Sequence, residues 1–138
     1  MNRDALRAQL VRHEGLRLRL YKDTVGKLTI GVGHNIEDRG LTQRAAFVIL
    51  EDDIEDAIRD CRSAWPWFDG LDHARQRVLA NMVFNMGLPE MRQFKQALAA
   101  MAAGNWPRAA VEMLDSRWAD QVGGRALELA EQMRQGGA

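Results

Sequence analysis

Strict alternation of apolar and polar residues is confined to one part of this chain. Residues 16–21, LRLRLY, place leucines at 16, 18 and 20, and residues 27–34, KLTIGVGH, alternate again. Strand side chains point to opposite faces with period two, so each run predicts a strand. Between them, DTVG at 23–26 has Asp first and Gly fourth, the pattern of a type I turn. Together they predict a β-hairpin. Leu28, Ile30 and Val32 share one face of its second strand, Thr29, Gly31 and Gly33 the other, and a third short strand is expected near residues 35–36.

Elsewhere the period is helical. Asn2 is placed to cap a helix running to about His13, with Leu6, Leu10 and then His13/Glu14 at helical spacing and Gly15 as its stop. After Gly40 the chain reads as helical throughout. Thr42 is placed to cap a helix over residues 42–61, with the stripe Ala46, Ile49/Leu50, Ile54, Ala57/Ile58 and Cys61. At about 1.5 Å per residue it is roughly 30 Å long, enough to connect two lobes. Further helices are predicted over 71–87, 93–103, 106–115, where Pro107 suits the first turn, and 124–135, with a short turn around Trp118. The fold class is therefore α+β. The expected organisation is one domain over 1–138: a small hairpin lobe with its linking helix (1–60) and a helical lobe (62–138).

Composition narrows the function classes. Nineteen basic and nineteen acidic side chains cancel, whereas nucleic-acid binders carry a basic excess, so no nucleic-acid partner is expected. The charge is uneven: residues 1–35 hold seven basic and three acidic side chains, and residues 36–72 hold four and ten. An anionic polymer suits the basic N-terminal segment. Cys61, the one cysteine, has no partner for an internal disulfide. No apolar run approaches the roughly 20 residues of a membrane span, so no membrane insertion is expected. The first ten residues, MNRDALRAQL, lack a signal core. The expectation is a monomer made in the cytoplasm that reaches any outer target by another release route.

Three residues stand out as chemistry. Glu14 continues the Leu6–Leu10 stripe and ends its helix, where apolar neighbours and the helix dipole both disfavour a negative charge, as a general acid requires. Asp23 follows nine positions later at the mouth of the hairpin, where Asp also serves a turn. Two carboxyls facing one cleft, one buried and one wet, is an arrangement that cleaves glycosidic bonds. Thr29, six positions on, offers a hydroxyl that could orient a water. His34 ends the strand, and Asp53, at the edge of the long helix's stripe, is its candidate acidic partner. The three histidines and one cysteine have no ligand spacing, so neither metal nor cofactor is expected. Ser63 and Ser116 lie in no nucleophile elbow, and GVGH lacks the helix of a phosphate-binding loop. Trp65, Trp67, Phe68, Trp106 and Trp118 are expected mostly in the core.

The segment HEGLRLRLYKDTVGKLTIGVGH resembles the catalytic segment of phage-type lysozymes, the T-even endolysin family, which cleave peptidoglycan. Glu, Asp nine later, Thr six later, and then Ile-Gly-x-Gly-His is a specific combination. LANMVFNMG at 79–87, SRW at 116–118 and GGR at 123–125 continue the likeness through most of the chain, in order. The resemblance implies a lysozyme-like fold with Glu14 as general acid, Asp23 as second carboxylate and Thr29 positioning the attacking water. It also implies that Arg125 reaches the catalytic Glu, that Asn85 lines the cleft wall and that His34 and Asp53 form a structural ion pair. One departure is visible: the span between His34 and the long helix is short, with no counterpart expected for the additional helix found there in the T-even enzyme.

The expected activity is therefore a muramidase acting on bacterial cell-wall peptidoglycan with inversion. A lytic transglycosylase can run on one Glu but leaves Asp23 and Thr29 without a role. A non-catalytic wall-binding module would be expected to lack a catalytic residue, and none is missing. A helical interaction protein leaves the Glu–Asp–Thr set unexplained.

Overall fold

Capping side chains set the helix boundaries in the computed structural model, which describes residues 1–138. Asn2 Oδ1 accepts the Ala5 N–H at 2.9 Å and opens α1, Arg3–Glu14, which ends at Gly15. Three antiparallel strands follow in the order β1 (Arg17–Lys22), β2 (Leu28–Gly31) and β3 (His34–Asn35). Thr29 is paired with Tyr21 on one side and Asn35 on the other, and the β1–β2 register shifts between Arg17 and Tyr21.

The second strand is shorter than its alternation predicts. It ends at Gly31, and Val32 and Gly33 turn the chain into β3. Gly31 and Gly33 have φ of 71° and 63°, left-handed values that serve a tight reversal. Gly31 ends β2, paired with Arg17, and Gly33 lies in the turn, so the two do not form the continuous bare strand face expected. A one-turn helix then appears where none was expected: α2, Ile36–Arg39, capped by Asn35 Oδ1 accepting the Asp38 N–H at 3.0 Å. Four residues are too few for a helical period to register.

The long helix, α3, runs over Gln43–Ala64, three residues past its expected end, and Thr42 caps it through the Ala45 N–H at 3.1 Å. Of its expected stripe, Ala57 and Cys61 are buried, Ala46, Ile54 and Ile58 are half-buried, and Ile49 and Leu50 are exposed. Burial pushes the Cys61 thiol up to about 12, which keeps it protonated and unreactive.

The chain divides into two compact units, Met1–Val48 and Ile49–Ala138. Within the first, Thr29 alone is buried, at 3% exposure, while Leu16, Leu18 and Leu20 of the alternating run are exposed. A unit of 48 residues encloses little volume for its surface, and α1 buries no residue. This unit is held by its turns, ladders and polar contacts.

The second unit has a true core. It contains α4 (His73–Met86), α5 (Leu88–Met91), α6 (Lys95–Ala102), α7 (Trp106–Leu114), α8 (Arg117–Val122) and α9 (Gly124–Gln135). Val78, Leu79, Met82 and Val83 of α4 meet Ala126, Leu129, Ala130 and Met133 of α9 in one cluster with Ala109, Ala110 and Met113 of α7. Alanines let these helices approach closely, and flexible methionines fill the gaps. Trp65, Phe68 and Trp118 are buried in this core, while Trp67 and Trp106 are half-buried against it. No helix is long and apolar enough to cross a membrane.

One polar clamp ties the end of α9 to the start of α4. Arg75 Nε donates to the Met133 carbonyl at 2.7 Å and Nη2 to the Arg134 carbonyl at 3.0 Å, while Nη1 donates to Asp72 Oδ1 at 3.0 Å. Its guanidinium stacks 3.9 Å from the Trp106 ring centroid. Asp72 Oδ2 also accepts the Gly137 N–H at 2.8 Å. Burial of Asp72 opposes its charge, but the N–H groups of Gly137 and Arg75 and the Arg75 guanidinium outweigh it and hold the carboxyl below its ordinary value. A depressed folded value contributes stability above the unfolded carboxyl range and loses it as pH falls through the folded value. Arg75→Ala should therefore cost about 2 kcal/mol of unfolding free energy in urea, since two C-terminal carbonyls lose their donors. The stability gap between the parent and Asp72→Asn should narrow as pH falls below about 4. A gap that stays constant to strongly acid pH would contradict the clamp's charged form.

Candidate active site

The three residues singled out for chemistry all lie in the first unit. Glu14 is the last residue of α1. It is exposed, not set among apolar side chains as its stripe suggested, because nothing buries the Leu6–Leu10 face of α1. What constrains it instead is the β2–β3 turn. A Cβ built on Gly33 would lie 2.7 Å from Glu14 Oε2 and 2.9 Å from its Cδ. Glycine is favoured at 33 by its φ of 63°, and a side chain there would push the Glu14 carboxyl aside.

Asp23 and Thr29 are joined through the backbone of Lys27. Asp23 Oδ1 accepts the Val25 N–H at 3.0 Å and the Lys27 N–H at 2.9 Å. Its own N–H donates to the Lys27 carbonyl at 2.9 Å, and Gly26 N–H closes the turn on the Asp23 carbonyl at 3.0 Å. The Thr29 hydroxyl donates to that same Lys27 carbonyl at 2.9 Å. The turn reading of Asp23 is thus correct, yet it engages only one carboxylate oxygen. Oδ2 takes part in none of these bonds. Thr29, its proton committed to Lys27, keeps oxygen lone pairs with which to accept from a water.

The charges beside this turn were not singled out from the sequence. Lys27 Nζ lies 3.4 Å from Glu37 Oε2 and 3.3 Å from Asp38 Oδ1, both on α2. Hydrogen bonding and charge from Asp38, then Glu37, raise the Lys27 ammonium above its ordinary value. The Asn35 amide and then Lys27 hold Asp38 below the usual carboxylate range. The residues are ten and eleven apart in sequence, and a contact at that separation leaves no periodic signal. Only the Asn35–Asp38 spacing before Gly40 hinted at a capped turn.

His34 is half-buried, and its Nε2 lies 2.7 Å from the Gly40 carbonyl, a partner the sequence did not suggest. Asp53 is exposed on α3 in the second unit, beside the buried Ala57 and Val83. It borders a shallow depression with Asp56, Asp60 and Phe84. In that unit Arg125 donates to Asn81 Oδ1 from Nε at 3.0 Å and Nη2 at 2.7 Å, which fixes its guanidinium. Asn85 Oδ1 accepts the Trp118 indole N–H at 2.8 Å, anchoring that buried ring. No three His, Cys, Asp or Glu side chains converge on a point that could hold a metal ion.

The family model described as phage lysozyme matches residues 11–135, a span that includes Glu14, Asp23, Thr29, Asn85 and Arg125. The pre-baseplate central spike protein of Enterobacteria phage T4 is 34% identical over 145 residues, which cover 85% of this chain and 25% of that protein. The chain thus spans about a quarter of the length of that relative. Two proteins of Dictyostelium discoideum, "Probable T4-type lysozyme 2" and "Probable T4-type lysozyme 1", are each 29% identical. The matches cover 86% of this chain and 86% of the first, and 82% of this chain and 84% of the second.

The Gly33 contact is open to a controlled test. Gly31 has a similar φ of 71° with nothing near its absent Cβ, whereas Gly33 faces the Glu14 carboxyl. Alanine at either position carries backbone strain of about 1–3 kcal/mol. Only Gly33→Ala should also shift the carboxyl carbon resonance of Glu14, because that flexible side chain must move aside. An equal shift of that resonance in both variants would mean that Glu14 does not rest on this turn.

Proposed function

The chain belongs to the phage lysozyme family, and on that premise we propose that it is a muramidase of endolysin type. Its partner is bacterial cell-wall peptidoglycan. The bond it hydrolyses is the β-1,4 link between N-acetylmuramic acid and N-acetylglucosamine. It needs no metal or cofactor for this, and the working body is the domain of residues 1–138 acting as a monomer.

The observation that carries the proposal is the shared Lys27 backbone, which binds Asp23 and Thr29 into one unit of structure while none of these bonds engages Asp23 Oδ2. Glu14, seated against Gly33, protonates the leaving glycosidic oxygen. A water donates one hydrogen bond to Asp23 Oδ2 and another to Thr29 Oγ1, and its lone pair attacks the anomeric carbon from the opposite face. Asp23 takes the water's proton as the bond to the leaving sugar breaks. Direct attack by water inverts the anomeric centre, and carboxyls about 6.5–9.5 Å apart leave room for it. Arg125, oriented by Asn81, and Asn85 contact the substrate. The lytic transglycosylase alternative uses no attacking water and gives the Asp23–Thr29 arrangement nothing to do.

Glu14→Gln should fold as the parent does, with the same circular dichroism, and lose about 10²–10⁴-fold in turnover. Parental activity in that variant would end the assignment of Glu14 as the acid. With a soluble muropeptide oligomer, proton NMR should show the α-anomer of the new reducing end first. An initial β-anomer would exclude the inverting route.

A further inference from the structure

Lys27 has two functions that are separable by atom. Its backbone holds both Asp23 and Thr29, and its side chain is held by α2. The ammonium sits between Glu37 and Asp38 at 3.4 and 3.3 Å. The adjacent Leu28 N–H donates to Glu37 Oε1 at 3.3 Å. Asp38 Oδ2 accepts from the Asn35 amide at 3.0 Å, and Asn35 is the ladder partner of Thr29. The chain of contacts therefore closes on itself, from Lys27 to α2, to β3, to Thr29 and back to the Lys27 carbonyl.

We infer that Lys27, together with Glu37 and Asp38 of α2, forms a positioning device that sets the placement of Asp23 and Thr29. The inference deepens the muramidase reading and rests on it for its kinetic consequence. The magnitudes assign the device to geometry. These side chains are 40–50% exposed, and exposed ion pairs contribute little to global stability. In a unit whose single buried residue is Thr29, no packed core would restore the turn if the clamp were released. A small displacement of a positioned water costs rate steeply, up to about 10²-fold for 1 Å. Lys27 and its acidic partners do not touch the reacting atoms in this account. They act through the backbone and the ladder.

The test compares Lys27→Met, the double variant Glu37→Gln/Asp38→Asn, and Lys27→Met combined with Asp23→Asn. The control is Arg59→Ala, which removes another exposed pair, that with Asp56. Lys27→Met should lower kcat about tenfold on soluble peptidoglycan fragments with KM unchanged. Its thermal midpoint should stay at the parental value. The double carboxyl variant should behave alike, and Arg59→Ala should match the parent. Once Asp23 is Asn, adding Lys27→Met should cost nothing more. The amide resonances of Asp23 and Thr29 should shift in both clamp variants and not in the control. An unchanged kcat, or an equal loss in the Asp23→Asn background, would overturn the inference. A parent chain that releases no sugars would sink the muramidase reading, and the positioning claim would then stand or fall on the Asp23 and Thr29 resonances.

Discussion

The backbone of Lys27 is the constraint on which the Asp23–Thr29 turn depends. Its N–H binds the Asp23 carboxylate, and its carbonyl receives both the Asp23 N–H and the Thr29 hydroxyl. In most domains such a turn would be a surface detail resting on a packed core. Here the unit from Met1 to Val48 buries one residue, and that residue is Thr29 itself. Directional polar contacts therefore do the work usually left to packing. The same economy governs Glu14, whose carboxyl is located by the turn at Gly33 and not by apolar neighbours. A site built this way keeps its carboxylates in contact with solvent, where a polymeric substrate can reach them.

The second unit is built on the opposite principle. Its alanine- and methionine-rich core packs α4, α7 and α9 closely, and the Arg75–Asp72 clamp secures the last helix. On that rigid base, two polar side chains are fixed by neighbours of the same unit: Arg125 by Asn81 and Asn85 by Trp118. Both lie in the segments that resemble the phage lysozymes, and the three hydrogen bonds restrict in advance rotamers whose freedom would otherwise be lost on binding a ligand.

Much of this fold was legible because its signals are local. Asn2, Thr42, Pro107 and the glycines at 15 and 87 mark helix ends by chemistry that acts within a few residues. Glu14, Asp23 and Thr29 were singled out as a spaced set, and the fold holds all three in the first unit. Other features were not legible. The run IGVG mimics a strand because its glycines fall on alternate positions, while their left-handed φ values make a reversal. An apolar stripe identifies a helix face but not whether anything covers it, so Glu14 is exposed where burial was expected. The α2 turn is too short for periodicity, and the Lys27 clamp joins residues ten and eleven positions apart that only the folded chain brings together.

The central claim is that Glu14, Asp23 and Thr29 deliver a water molecule to a glycosidic bond. Digestion of purified peptidoglycan by the unmodified chain, followed by mass spectrometry of the released sugars, tests it most directly. Hydrolysis predicts reducing-end N-acetylmuramic acid, one water heavier than the anhydro product. Anhydro-muramic ends would contradict the account, because no water would then have attacked and the pairing of Asp23 with Thr29 through Lys27 would lack a catalytic purpose.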